Sequence, residues 1–221
     1  MNRIQSVRPS PANRGVALCR RLAAGLVLLA LGACSALNPG ARPPPAFYAL
    51  EAPAAKADAA TPSRPGASTR TLVINPPQAA AGFDSQRIIY VREPHRLDYF
   101  AHSEWVEAPA RMLGPLLVAA IERTGAFRAV VLTPGAASGE WRLDTEILRL
   151  EQDFQTRPSR VRFVLRATLV DDRTRRVIAA REFESTFTAT SDDPYGGVVA
   201  ANRAVQGALG DLSLFLSERP Q

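Results

Sequence analysis

The sequence predicts an α/β fold of the α+β kind. A single domain is expected, in which a mixed, mostly antiparallel sheet of about five to seven strands packs with two main helices. Three patterns carry that expectation. Trp141, Leu143, Thr145 and Ile147 alternate with Arg142, Asp144 and Glu146, and Val161, Phe163, Leu165, Ala167 and Leu169 repeat the alternation, as in strands buried on one face. Val106, Ala110, Leu113, Leu117 and Ile121 recur at spacings of three and four, the mark of an apolar helical stripe. Val198, Val205, Leu209, Leu212 and Leu216 form a second such stripe. Residues 71–221, roughly 150, suffice for one core, and no internal repeat divides them.

The chain begins with a segment of another kind. Leu22 to Cys34 is an apolar run behind Arg14, Arg20 and Arg21, and positions 1–33 contain no acidic residue. A positive flank, a short apolar core and small residues before a cut point describe a secretory leader. The run is too short to span a bilayer, which needs about 20 apolar residues. Leu31, Gly32, Ala33 and Cys34 resemble a bacterial lipobox, whose cysteine is diacylated, becomes the new N-terminus and usually receives a third chain. Residues 1–33 are therefore expected to be a lipoprotein signal peptide, with Cys34 the lipidated residue. The alternative is an ordinary secretory cleavage site with a chance cysteine. Cys19 does not compete, because bulky Leu18 precedes it. Each buried methylene contributes ~0.8 kcal/mol, so two or three acyl chains hold firmly. Ser35, where an aspartate would favour inner-membrane retention, points to the periplasmic face of the outer membrane.

The leader also accounts for the charge. The chain is +6, with 27 basic and 21 acidic residues, but Arg3, Arg8, Arg14, Arg20 and Arg21 all lie in the leader. Without those five, 22 basic residues face 21 acidic ones, and the basicity that would suggest nucleic acid disappears. With Cys19 removed and Cys34 acylated, no thiol remains for a disulfide, metal or nucleophile.

Residues 34–70 are expected to be the acylated cysteine and a Pro/Ala-rich tether. Pro39, Pro43, Pro44, Pro45, Pro53, Pro62 and Pro65 stand among alanines and small polar residues, too little apolar surface to offset chain ordering. Phe47, Tyr48, Ala49 and Leu50 interrupt it, giving a candidate first strand at 46–50. If it docks, the free tether is Ser35 to Ala46, twelve residues or about 40 Å at full stretch.

In the globular domain, 71–221, Thr71–Ile74 is a β-branched strand stopped by Asn75, Pro76 and Pro77. Arg87–Val91 and Leu97–Phe100 follow, joined by a hairpin loop at Glu93–Arg96. A helix is expected from about Glu104 to Thr124, with Glu104 and Glu107 at its positive end, interior Pro115 kinking or splitting it, and Gly125 as its cap. Phe127–Leu132 reads as a strand. In the strand from Trp141 the alternation slips by one at Ile147–Leu148, which a β-bulge would absorb. Around a turn at Asp171–Arg175, the strand from Val161 pairs with one carrying Val177, Ala179, Phe183 and Phe187 inward; Arg162 then lies near Glu184 and Arg166 near Glu182. Asp193 and Pro194 suit the N-cap and first position of the final helix.

Catalytic chemistry is sparse. His95 and His102 are seven apart in a loop-and-strand region, not at the i, i+4 spacing of a helical metal pair. No nucleophile elbow, phosphate loop or dinucleotide fingerprint occurs, and Asp171-Asp172 and Asp192-Asp193 suit turns and caps. No enzyme, metal or cofactor is expected beyond acyl chains on Cys34. Arg157, Arg160, Arg162 and Arg166 form a dense basic run with one inward aromatic, Phe163. It reads as a salt-paired hairpin or a docking patch for anionic lipid or an acidic protein, not as a nucleic-acid surface.

Gly82-Phe-Asp-Ser-Gln-Arg-Ile-Ile-Tyr-Val91, Leu97-Asp-Tyr-Phe-Ala-His-Ser-Glu-Trp105 and Pro109-Ala-Arg-Met-Leu113 resemble the ABC-type transport auxiliary lipoprotein (PqiC-like) family. An aromatic start at Phe47-Tyr48-Ala49-Leu50 and an arginine-bearing hairpin before a terminal helix extend the resemblance over nearly all of the mature chain. Asp84, Arg87, Tyr90, Trp105 and Pro109 are the matching motif positions. They are expected to be structural, with Trp105 stapling the helix start and Tyr90 a half-buried strand aromatic. Departures are the Ala/Pro insert at Ala52–Ser68 and Pro115. The resemblance implies a non-catalytic subunit working with an ABC permease, an ATPase and a periplasmic MCE-domain protein in moving lipids or hydrophobic solutes between the two membranes. The alternative is an outer-membrane assembly or integrity scaffold.

Overall fold

The computed structural model describes residues 44–52, 69–135 and 138–218. The signal peptide, lipobox, Cys34, the tether to residue 43 and residues 53–68 lie outside the described residues. The chain divides into Met1–Pro44 and Pro45–Gln221, and the second unit carries the fold.

Its elements, in order, are β1 (Ala46–Tyr48), β2 (Thr71–Ile74), β3 (Gln78–Ala79), β4 (Arg87–Val91), β5 (Asp98–Trp105), α1 (Pro109–Glu122), β6 (Ala129–Leu132), β7 (Trp141–Asp153), β8 (Arg160–Asp171), β9 (Arg176–Thr188) and α2 (Pro194–Ser217). The class is the expected one, with two helices on a mixed sheet. Among the described residues the strand count is nine rather than five to seven. β1 forms within the candidate strand at 46–50, whereas β3, two residues long, is too short for any periodicity to announce it.

β7 is the axis of the sheet. One edge pairs antiparallel with β8 along its length, and β8 pairs in the same way with β9. The other edge is shared by three short parallel strands. β2 pairs at Trp141–Leu143, β3 at Glu146–Ile147 and β4 at Glu151–Asp153. The sheet therefore forks, continuing from β2 to β6 and from β4 through β5 to β1. The antiparallel ladders are long and the parallel ones short, so most paired residues are antiparallel.

The anticipated bulge is present. Ile147 faces Leu165 and Arg149 faces Val164, which leaves Leu148 as the extra residue. The slip keeps Trp141, Leu143, Ile147 and Leu150 all in the core. There they meet Phe163, Leu165 and Leu169 of β8, Leu113, Leu117 and Ile121 of α1, and Leu212 and Leu216 of α2, all at most 1% exposed. Each such side chain contributes about 1.5–3 kcal/mol on burial.

Three local expectations are corrected. α1 starts at Pro109, not near Glu104, because β5 runs on to Trp105 and pairs there with β1. Glu104 and Glu107 consequently miss the first helical turn, and Val106 is 50% exposed instead of joining the stripe. Pro115 does not split the helix: α1 is continuous through it. On β9 only Phe183 is buried as expected, while Val177 and Phe187 are 62% and 37% exposed. β9 is an edge strand paired only with β8, and its register shifts between Leu169 and Val170.

α2 is anchored at its start. Asp193 accepts a hydrogen bond from the Gly196 amide at 2.7 Å, and Asp192 accepts one from the Ser159 amide at 2.7 Å. Gly197 lets the helix approach β7: a Cβ there would lie 2.1 Å from Gln152 Oε1. Gly125 ends α1 with φ +63° and donates its amide to Glu122 O. Among the described residues no helix is long and apolar enough to cross a membrane.

Candidate functional site

The helices cover one face of the sheet, so outward residues of β7, β8 and β9 make the other face accessible. Arg162 lies opposite Thr186 on β9 and reaches diagonally to Glu184, donating from Nε at 2.6 Å and from Nη2 at 3.0 Å. That fork holds the Glu184 carboxyl below the usual glutamate range. Arg166 faces Glu182 directly, bonding it at 2.9 Å, and also reaches Glu146 at 3.1 Å. Two of the four arginines in the proposed basic patch are thus engaged within the sheet. Arg157 and Arg160 are exposed, Arg160 opposite Asp153 and Thr188. Arg157 adds to the amide of Ser159 in lowering the Asp192 carboxyl.

Beside this row lies a groove of about 550 Å³. Its floor is Val91 of β4 with Leu148, Arg149 and Glu151 of β7, and Arg162 bounds it on the β8 side. Its walls are two loops, one bringing Ala80, Ala81 and Phe83 and the other Pro94, His95, Arg96 and Leu97. The bulge makes the floor: the extra residue turns Leu148 and Glu151 to this face. Gly82, at φ +92°, turns the first loop so that it runs beside Leu97.

Glu151 is the charged member among the buried polar residues, 7% exposed. Its Oε1 accepts from Arg149 Nη1 at 3.3 Å, whereas Oε2 is buried with no hydrogen-bond donor among the described residues. A buried acceptor without a donor costs about 1–3 kcal/mol, which makes a donor arriving from outside favourable. The groove thus offers apolar contacts from Leu97, Leu148 and Phe83 and guanidinium groups at its rim. Such a surface suits a docked segment, and it offers no arrangement of nucleophile and base.

The motif positions scatter around it. Asp84 is exposed in the first loop. Arg87 stacks over the Tyr99 ring at 4.2 Å. Tyr90 is half-buried, 4.6 Å from the Phe100 ring and 5.7 Å from that of Phe154, with Arg92 over it at 5.0 Å. Trp105 is 3% exposed and closes β5; it is a core strand residue and not the staple of a helix start. Pro109 is the buried first residue of α1. His95 and His102 are both exposed, and among the described residues no cluster of three or more His, Cys, Asp or Glu could hold a metal. A void lined by Ile88, Trp105, Leu150 and Gly197 measures about 10 Å³, room for one water and not for an acyl chain. Glu151 and Phe154 escaped sequence reasoning. The phase slip marks where Leu148 turns out, but nothing local reveals that loops 50 to 70 residues upstream cover Glu151.

A family model for the ABC-type transport auxiliary lipoprotein component matches residues 48–212, from β1 into α2. The chain belongs to that family. Among solved structures, protein XCC0632 from Xanthomonas campestris is 24% identical, with 76% of this chain and 91% of that one covered at a TM-score of 0.65. An uncharacterized protein is 11% identical, with 78% and 98% covered at a TM-score of 0.60. These two share the fold of the auxiliary lipoprotein described above. Among curated proteins none matches the chain. The family is defined by its auxiliary part in ABC transport, so association with a transport system and a place in the cell envelope go with membership.

Proposed function

We propose that this auxiliary lipoprotein is a non-catalytic subunit of an MCE-type ABC transport system that moves lipids or other hydrophobic solutes between the inner and outer membranes. Acyl chains on Cys34 hold it at the periplasmic face of the outer membrane. The globular domain docks the periplasmic MCE-domain protein, and the groove over Glu151 receives a segment of it. The single observation that carries this reading is the family match running from β1 to α2. The sequence contains no phosphate loop, so the ATPase and permease supply the energy and this chain supplies position.

Affinity capture from solubilised envelopes with the full-length protein tests the proposal. Wild type recovers an MCE-domain protein, and Leu97→Asp, in the exposed groove wall, recovers less of it. Recovery of barrel-assembly or cell-wall components without any MCE-domain protein contradicts it and favours an assembly or integrity scaffold.

A further inference from the structure

The edge of the sheet where the tether enters exposes apolar side chains. Phe47 is 58% exposed, Tyr99 50% and Val106 50%. Strand pairs and contacts link them along one margin. Phe47 faces Glu104 across the parallel β1–β5 pair, and Glu104 faces Arg87 across the β5–β4 pair. Arg87 lies 4.2 Å from the Tyr99 ring. The Val106 amide donates to Tyr48 O at 2.7 Å, and Gln86 Nε2 donates to Val106 O at 2.7 Å. Two aromatic rings, a valine and a stacked guanidinium therefore line one margin of the domain, with Glu104 among them.

We infer that this β1–β5 margin, through Phe47, Tyr99 and Val106, is the surface the domain lays against the headgroup region of the membrane. The inference rests on the acylation of Cys34 proposed above. Covalent reach favours lipid over a protein partner as the occupant. Ser35 to Ala46 is twelve residues, about 40 Å at most, and it ends one residue before Phe47. A domain hung there brings that margin towards the bilayer at high local concentration. Aromatic rings and arginine suit the interface, where an apolar body can sit among acyl carbons while the guanidinium meets phosphate. The exposed Leu214 of α2 serves as a contrast. Asn202 of the same helix contacts Ala49 O and the Glu51 amide, and twelve residues of helix carry Leu214 about 18 Å farther along.

The mature chain makes a clean test possible, since its native cysteine is blocked by acylation. Phe47→Cys, Val106→Cys and Leu214→Cys are expressed in full length, acylated, labelled with an environment-sensitive fluorophore and reconstituted in phosphatidylethanolamine–phosphatidylglycerol vesicles carrying nitroxide-labelled acyl chains. Labels at 47 and 106 are expected to be quenched at least about twofold more than the label at 214, as for groups about 5–10 Å into the headgroup boundary. Equal quenching at the three positions overturns the inference, as does shielding of 47 and 106 that is the same without vesicles, which would mark a protein contact. Intact mass measured on the same samples separates the two readings. An acylated chain with unquenched 47 and 106 defeats this inference alone, whereas a chain without acyl mass defeats both.

Discussion

An acceptor buried without a donor costs about 1–3 kcal/mol, and Glu151 Oε2 is buried in that way beneath loops that leave a groove open above it. A side chain kept for a partner and not for the fold should show opposite effects on the two. Glu151→Leu is expected to leave the free energy of unfolding unchanged or raised by up to about 2 kcal/mol, because an apolar side chain needs no donor. The same variant is expected to recover less MCE-domain protein. A clear fall in melting temperature would mean that the carboxylate serves the fold. Gly197 is a structural counterpart, since a Cβ there would meet Gln152 Oε1 at 2.1 Å. Gly197→Ala is expected to destabilise by about 1–3 kcal/mol in denaturant titration, and no change would show that α2 can withdraw from β7 freely.

The hairpin β8–β9 and the start of α2 give predictions at the scale of elements. Arg162 and Glu184 are half-exposed, so their fork contributes only a few tenths to about 1 kcal/mol. A double-mutant cycle on Arg162→Ala and Glu184→Ala should find a coupling in that range that shrinks with salt; a coupling of several kcal/mol would contradict the geometry. Acid sensitivity follows from hydrogen-bonded carboxylates. The Ser159 amide lowers Asp192, the Thr71 amide lowers Glu140, and Arg162 lowers Glu184. Folded values below unfolded ones give stability that is present above about pH 4 and lost as pH falls through the folded values. Denaturant midpoints should be flat from neutral pH to about 5 and then fall, and Asp192→Asn should fall less steeply. These elements were also the most legible. Strict alternation from Trp141 to Leu169 revealed both long strands, the bulge and the two cross-strand ion pairs, because each is a consequence of a period-two pattern. The start of α1 was misread because Val106 continues the spacing of Ala110 and Leu113 by coincidence. What decides its conformation is the β1–β5 pair, formed by residues almost 60 positions apart.

For the whole molecule, a forked sheet with two helices on one face leaves the other face and the β1 margin to meet partners. Local periodicity could not reveal the fork: β2, β3 and β4 share one edge of β7 through parallel contacts of two or three residues. Nor could it reveal the groove, whose floor and walls come from stretches far apart in the chain. The family, by contrast, was legible from the motifs between Gly82 and Leu113. The central claim is that the fold acts from a lipid anchor at Cys34, and intact mass spectrometry of the protein extracted from the outer-membrane fraction tests it most directly. The account predicts a chain whose first residue is Cys34, carrying two or three acyl groups, and a Cys34→Ala variant that is neither processed there nor acylated. A chain that starts elsewhere, or an unmodified Cys34 in a protein still bound to the membrane, would contradict it.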